Sequence, residues 1–185
     1  MVCRWERHPC PSMCFWRWKK GAPDEPADHA LGRSRGGYST KIHLLVDGMG
    51  NPLAFTITGG QAHETTALLE VLEKADNDLH DSEGRPVAWP VNLAGDKGYR
   101  AEWIDETLID LGINPIIPSK SNEDRDARTA QFDGDCYRRR NIVERSIGWL
   151  KECRRVFSRF EKTAINYAGM IKMAMIERFL RMMCS

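Results

Sequence analysis

The stretch "WPVNLAGDKGYRAEWIDETLIDLGINPIIP", Trp89 to Pro118, decides the fold. "WPVNLAGD" reads as a buried strand ending at Asp96, and "AEWIDETLIDLG" as a helix closed by Gly112. "INPIIP" reads as a short strand bounded by Pro118. A strand–helix–strand unit implies parallel pairing of its two strands. Asp96 falls just past the first strand's end, the edge of an open α/β sheet where ligands and reacting groups collect. Its plainer role is that of a turn residue between Gly95 and Gly98.

The elements on either side extend this unit. "KIHLLVDG" and "PLAFTITGG" are β-prone runs flanking the turn cluster "GMGN", the pattern of an antiparallel hairpin. "HETTALLEVLEKA" gathers Leu68, Leu69, Val71 and Leu72 on one side and reads as a helix. His63 and Glu64 sit at its start and read as helix initiation, with a place beside a reaction site as the alternative. "SKSNEDRDARTAQFDGD" is almost devoid of apolar residues and reads as a mobile loop. A final helix, "INYAGMIKMAMIERFL", carries Met170, Met173, Met175, Ile176 and Phe179 on a side expected to pack into the core. The order ββαβαβαα describes an α/β domain with a mixed sheet.

Residues 1–35 differ from the rest. Met1 to Lys20 holds three of the six Trp and three of the six Cys, with neither helical nor alternating period. The polar, Pro-rich link that follows reads as loop. Cys3, His8, Cys10 and Cys14 offer zinc-ligand chemistry, but without a paired C-x-x-C spacing. The irregular spacing of the six Cys suggests free thiols in a reducing compartment. No apolar run approaches the ~20 residues of a membrane span, and no secretion signal opens the chain. At 185 residues the chain can build one domain, taken here as residues 36–185.

A net charge of +1 gives no overall affinity for nucleic acid, but the distribution is uneven. From Tyr137 to Lys162 nine Lys/Arg face three acids, a local +6 that suits a phosphate-binding surface. Within it, "YRRRNIVERSIGWLK" reads as part of one helix from Tyr137 to Phe157. At about 100° per residue, Tyr137, Arg140, Glu144 and Lys151 share one side, opposite Ile142, Ser146, Trp149, Leu150 and Cys153. The plain reading is a solvated face with an Arg140–Glu144 pair. The chemical reading joins Glu144 to Asp96. Phosphodiester chemistry on DNA commonly uses hard divalent cations held by carboxylates, with neighbouring cations on the backbone phosphates.

These residues resemble a known family, the DDE transposases of bacterial insertion sequences. Tyr137, Arg140, Glu144 and Lys151 match its signature of Tyr, two residues, Arg, three, Glu, six, Lys. "AGDKGY" is similar to its second-acid motif, and "GGYSTKIHLLVDGMGNPLAFTITGGQAHE" to its hairpin and first helix. The resemblance runs from about Asp24 to the C-terminus. It implies an RNase H-like mixed sheet flanked by helices, incomplete at its N-terminal strand. It implies an enzyme that cuts and joins DNA with Mg²⁺ or Mn²⁺, in a bacterial cytoplasm and on the nucleoid. Asp96 and Glu144 are then metal-binding catalytic carboxylates, and Tyr137, Arg140 and Lys151 serve DNA binding. Insertion-sequence ends, target DNA, and a second copy or a full-length transposase are the implied partners. The family's first acid has no counterpart before Gly36. Asp24 and Asp28 lie in "APDEPADHA", which has no strand pattern. The chain is therefore expected to be a C-terminal part that is inactive alone. The competing expectations are a non-catalytic remnant that holds DNA or a transposase, and a structural zinc protein.

Overall fold

The computed structural model describes residues 2–6, 29–34, 37–124, 128 and 130–184. Asp24, Asp28, His8, Cys10, Cys14 and the side chain of Cys3 lie outside these, and with them the zinc expectation. In chain order the elements are β1 (Val2–Glu6), β2 (Gly32–Ser34), β3 (Gly37–Val46), β4 (Pro52–Gly59), α1 (Glu64–Asp78), β5 (Asn92–Ala94), α2 (Glu102–Asp110), β6 (Asn114–Ile116), α3 (Gly134–Arg138), α4 (Asn141–Glu152), α5 (Arg154–Phe157) and α6 (Ala164–Met183). A single turn of 3₁₀ helix, Lys97–Tyr99, follows β5. The chain is α/β, as the alternation of elements requires.

The strands fall into two sheets. β3 pairs with β1, with β4 and, antiparallel, with β2 through Gly32↔Ser39 and Ser34↔Gly37. β5 and β6 pair in parallel, Asn92 opposite Asn114 and Ala94 opposite Ile116. The parallel unit read from residues 89–118 is thus present, with a shorter first strand. The parallel β5–β6 pair forms a sheet of its own among the described residues, apart from the sheet built on β3. Two further strands, β1 and β2, lie in residues 1–35, where no element was expected.

The chain divides into two compact units. The first comprises Met1–Trp5, Ile42–Thr56 and His63–Ile147. Its core joins Leu45 and Ala54 of the hairpin to Leu68, Val71, Leu72 and Ala75 of α1. Leu93, Tyr99, Ile104, Leu108, Ile113 and Ile117 of the parallel unit complete it. The hairpin turn is built by Asp47. Its Oδ1 accepts from the amides of Met49 (2.8 Å) and Asn51 (2.9 Å), and its Oδ2 from Asn51 Nδ2 (2.8 Å). Burial pushes the Asp47 carboxyl up. The backbone and side-chain amides of Asn51 and the backbone amides of Met49 and Gly50 outweigh that, and hold it below the usual Asp range. α1 starts as expected: His63 caps it, with Nδ1 accepting from the Thr65 amide. α2 ends at Gly112, whose φ of 74° is the left-handed conformation of a helix C-terminus.

The second unit comprises Glu6–Lys41, Ile57–Ala62 and Gly148–Ser185. In it Arg159 donates to the carbonyls of Ala30 and His29 and to Thr40 Oγ1, and its guanidinium lies 4.7 Å from the Tyr167 ring centre. Tyr167 Oη donates to Val156 O at 2.8 Å. These contacts set the rotation of α6, which buries Ala164, Tyr167, Ile171 and Ala174. The Met-rich side expected in the core turns outward: Met173 is 60% exposed, Ile176 and Phe179 are exposed, and Met170 and Met175 are half-buried. α6 is apolar on more than one side, so its period did not choose a face; Tyr167's hydrogen bond does.

The loop expected to be mobile is anchored at Arg128. This buried side chain donates to both oxygens of Asp105 (2.7 and 3.0 Å) and to Ile117 O (2.6 Å). Arg100 joins the cluster from the other side, bonded to Glu123 at 3.0 Å. Its Nη1 lies 3.1 Å from Asp105 Oδ2, an ionic contact without hydrogen-bond alignment.

Candidate active site

Asp96 is held by its neighbours. The Gly95 amide donates to Ile116 O at 3.2 Å, tying the loop to β6. Two residues past Asp96, Gly98 packs on the buried Glu64 of α1; a Cβ there would meet Glu64 Cγ at 3.0 Å. Tyr99, fully buried, places its Oη 2.7 Å from Nδ1 of the equally buried His43 on β3. The loop is thus fixed to β6, α1 and β3. Asp96 begins the 3₁₀ turn but makes no side-chain cap to it, so its carboxylate is directed elsewhere.

Glu144 rides on α4, which is pinned to the hairpin turn. Val143 is fully buried, and Ile147 and Ser146 are buried beside it. Ser146 Oγ lies 2.7 Å from Gly50 O. Gly50 has φ 89°, and a Cβ on it would meet Ile142 Cγ2 at 3.0 Å, so the turn and the helix touch through a position that only glycine fills.

The single helix expected from Tyr137 to Phe157 is three: α3, α4 and α5. At the first break the bonds become i→i−3. Arg139 N donates to Cys136 O, Arg140 N to Tyr137 O, Ile142 N to Arg139 O and Val143 N to Arg140 O. That 3₁₀-type winding re-aims Arg140. Its Nη1 donates to Asp96 Oδ1 at 2.6 Å and its Nη2 to Glu144 Oε1 at 2.6 Å. One guanidinium therefore spans two carboxylates 48 residues apart in the sequence. The Arg140 side chain is 18% exposed, Asp96 27% and Glu144 57%. The Tyr137 ring centre lies 5.3 Å from the guanidinium, and Phe132 packs on that ring. The Arg140–Glu144 pair was legible from spacing; the Arg140–Asp96 bond was not.

Lys151 is exposed in the last turn of α4. Arg138, Arg139, Arg145, Arg154 and Arg155 are also exposed. Arg159, counted in the basic stretch, is instead committed inside the second unit. His43 was not singled out as a support, and Glu64 was read first as helix initiation, with a place beside a reaction site as the alternative. A histidine inside the apolar run "KIHLLV" was a signal, since a buried polar side chain needs a partner.

The profile of the family described as "Transposase DDE domain" matches residues 15–176. The chain belongs to the DDE transposases. A protein of Burkholderia cepacia, named for the transposase of insertion sequence element IS402, is 32% identical over 158 residues, which are 85% of this chain and 67% of that protein. No solved structure matches. Divalent metals are general to DDE transposase domains. Here two carboxylates, hard oxygen donors whose paired charge one guanidinium only half offsets, have the chemistry to take one. No group of three His, Cys, Asp or Glu placed to hold a metal occurs among the described residues. No helix of the described residues is long and apolar enough to cross a membrane.

Proposed function

We propose that this DDE transposase chain contributes the second and third acids, Asp96 and Glu144, to a metal-dependent site that cleaves and joins DNA at insertion-sequence ends. The observation that carries this reading is the shared guanidinium: Arg140 brings together the two acids that the family resemblance pairs. Mg²⁺ or Mn²⁺, when bound, supplies activation of the attacking oxygen and stabilisation of the leaving oxygen. The chain's own residues do the rest. Asp96 and Glu144 would hold that cation beside the reacting phosphodiester. Their supports, His43–Tyr99, Glu64–Gly98 and Ser146–Gly50, fix where that charge sits. Tyr137, Arg140 and Lys151, with the exposed arginines of residues 138–155, bind the DNA backbone. The α/β unit with a parallel β5–β6 pair supports an RNase H-like core in residues 36–185, working on the nucleoid in a bacterial cytoplasm. A second copy or a full-length transposase is the protein partner of this proposal.

The reading gives this chain two of three acids, so by itself it leaves DNA uncut. Incubation with duplex DNA bearing insertion-sequence ends and Mn²⁺ tests this, comparing the chain with a fusion that places an Asp-bearing strand ahead of Gly36. Strand cleavage by the fusion, absent with Glu144→Gln, is the expected result. Cleavage by the chain alone, or by a fusion carrying Glu144→Gln, contradicts it. Binding without cleavage is read from salt dependence. The logarithmic slope is expected to be about −0.9 per phosphate contact, and Arg140→Ala with Lys151→Ala to make it shallower by about 2. An unchanged slope removes both residues from the DNA interface.

A further inference from the structure

We propose that Arg140 is the resident counter-ion of the Asp96–Glu144 site, and that a divalent cation can load only by displacing its guanidinium. This rests on the reading of those two acids as metal ligands. Both of the guanidinium's terminal nitrogens are engaged, one with each carboxylate, at 2.6 Å. The Arg140 and Asp96 side chains are mostly buried, so the bond between them is only partly screened by water; the bond to the more exposed Glu144 is screened more. Arg remains protonated at any working pH, so the site cannot remove this charge by losing a proton. A divalent ion drawn to the same oxygens would meet a fixed positive charge within a few ångströms. Two cations do not share such a site at low cost, so one must leave. The turn at Arg139–Arg140, wound by i→i−3 bonds between two short helices, is where the chain can re-aim that side chain.

A merely supporting arginine and a competing one predict opposite signs. If Arg140 only holds the acids in place, removing it loosens them and weakens metal binding. If it occupies the cation position, removing it takes one positive charge away from both carboxylates, and metal binding tightens. The experiment is a Mn²⁺ titration of the full chain at fixed ionic strength, read by electron paramagnetic resonance of free Mn²⁺. The variants are Arg140→Ala, Arg140→Gln and Arg140→Lys, with Asp96→Asn and Glu144→Gln as site controls. Arg140→Ala and Arg140→Gln are expected to bind Mn²⁺ about tenfold more tightly than the parent. Arg140→Lys, which keeps the charge, stays close to the parent. Circular dichroism selects variants that fold, and Arg140→Gln, which keeps more of the side chain than Ala, stands in if Arg140→Ala does not. Equal or weaker Mn²⁺ binding by the neutral variants overturns the inference while leaving the metal site in place. Unchanged binding in Asp96→Asn and Glu144→Gln overturns the metal reading itself.

Discussion

At the scale of single residues, the acids are less telling than what fixes them. Tyr99→Phe removes the hydroxyl that meets His43 Nδ1 in a fully buried site. It is expected to cost about 1–3 kcal/mol in urea unfolding and to weaken divalent binding at Asp96. A loss of stability with unchanged metal affinity would separate the loop's packing from its aim. The cluster around Asp105 makes a sharper case. Asp105→Ala leaves Arg100 and Arg128 buried without their shared carboxylate, and is expected to destabilise the chain by about 3–5 kcal/mol. An unfolding midpoint within error of the parent would contradict that. Asp96, Arg140 and Glu144 could be named from spacing because motif and helical period are local. Arg128 could not: it lies in a run of charged and amide residues with no period, and its partner Asp105 is 23 positions away.

At the scale of elements, the hairpin turn and α4 act as one part. Gly50→Ala forces φ 89° on a residue with a Cβ and drives that atom against Ile142, which carries Glu144's helix. The turn also has a pH signature. Its Asp47 carboxyl sits below the ordinary value, so its contribution is present in full above about pH 4 and is lost as pH falls through the lower folded value. Urea midpoints of the parent and Asp47→Asn, compared at about pH 7, 4 and 2.5, are expected to converge as pH falls. A constant gap would show that the turn draws nothing from the charge. Local patterns located the hairpin, α1, α2 and the parallel strands, since period and turn chemistry lie within each segment. They missed the breaks between α3, α4 and α5, where no Pro or Gly marks the chain at Arg139 or Cys153. The first break coincides with Arg140's bond to Asp96, a tertiary contact 44 residues away, which no sequence window contains.

At the scale of the whole molecule, family membership and local geometry meet at one point. The DDE transposase match covers most of the chain, and the residues of the shared guanidinium contact lie within the matched span. Two elements in residues 1–35 lay beyond sequence reading: Val2–Glu6 and Gly32–Ser34 are too short to establish a period and gain their definition by pairing with β3. Asp96 and Glu144 are proposed to form one divalent site, and Mn²⁺ affinity of the parent, Asp96→Asn and Glu144→Gln tests this most directly. Each single variant is expected to lose at least tenfold in Mn²⁺ affinity, and the double variant to lose little more than the worse single, because both acids serve one ion site. Full Mn²⁺ affinity in either folded single variant, or losses that simply add in the double, would contradict a shared site.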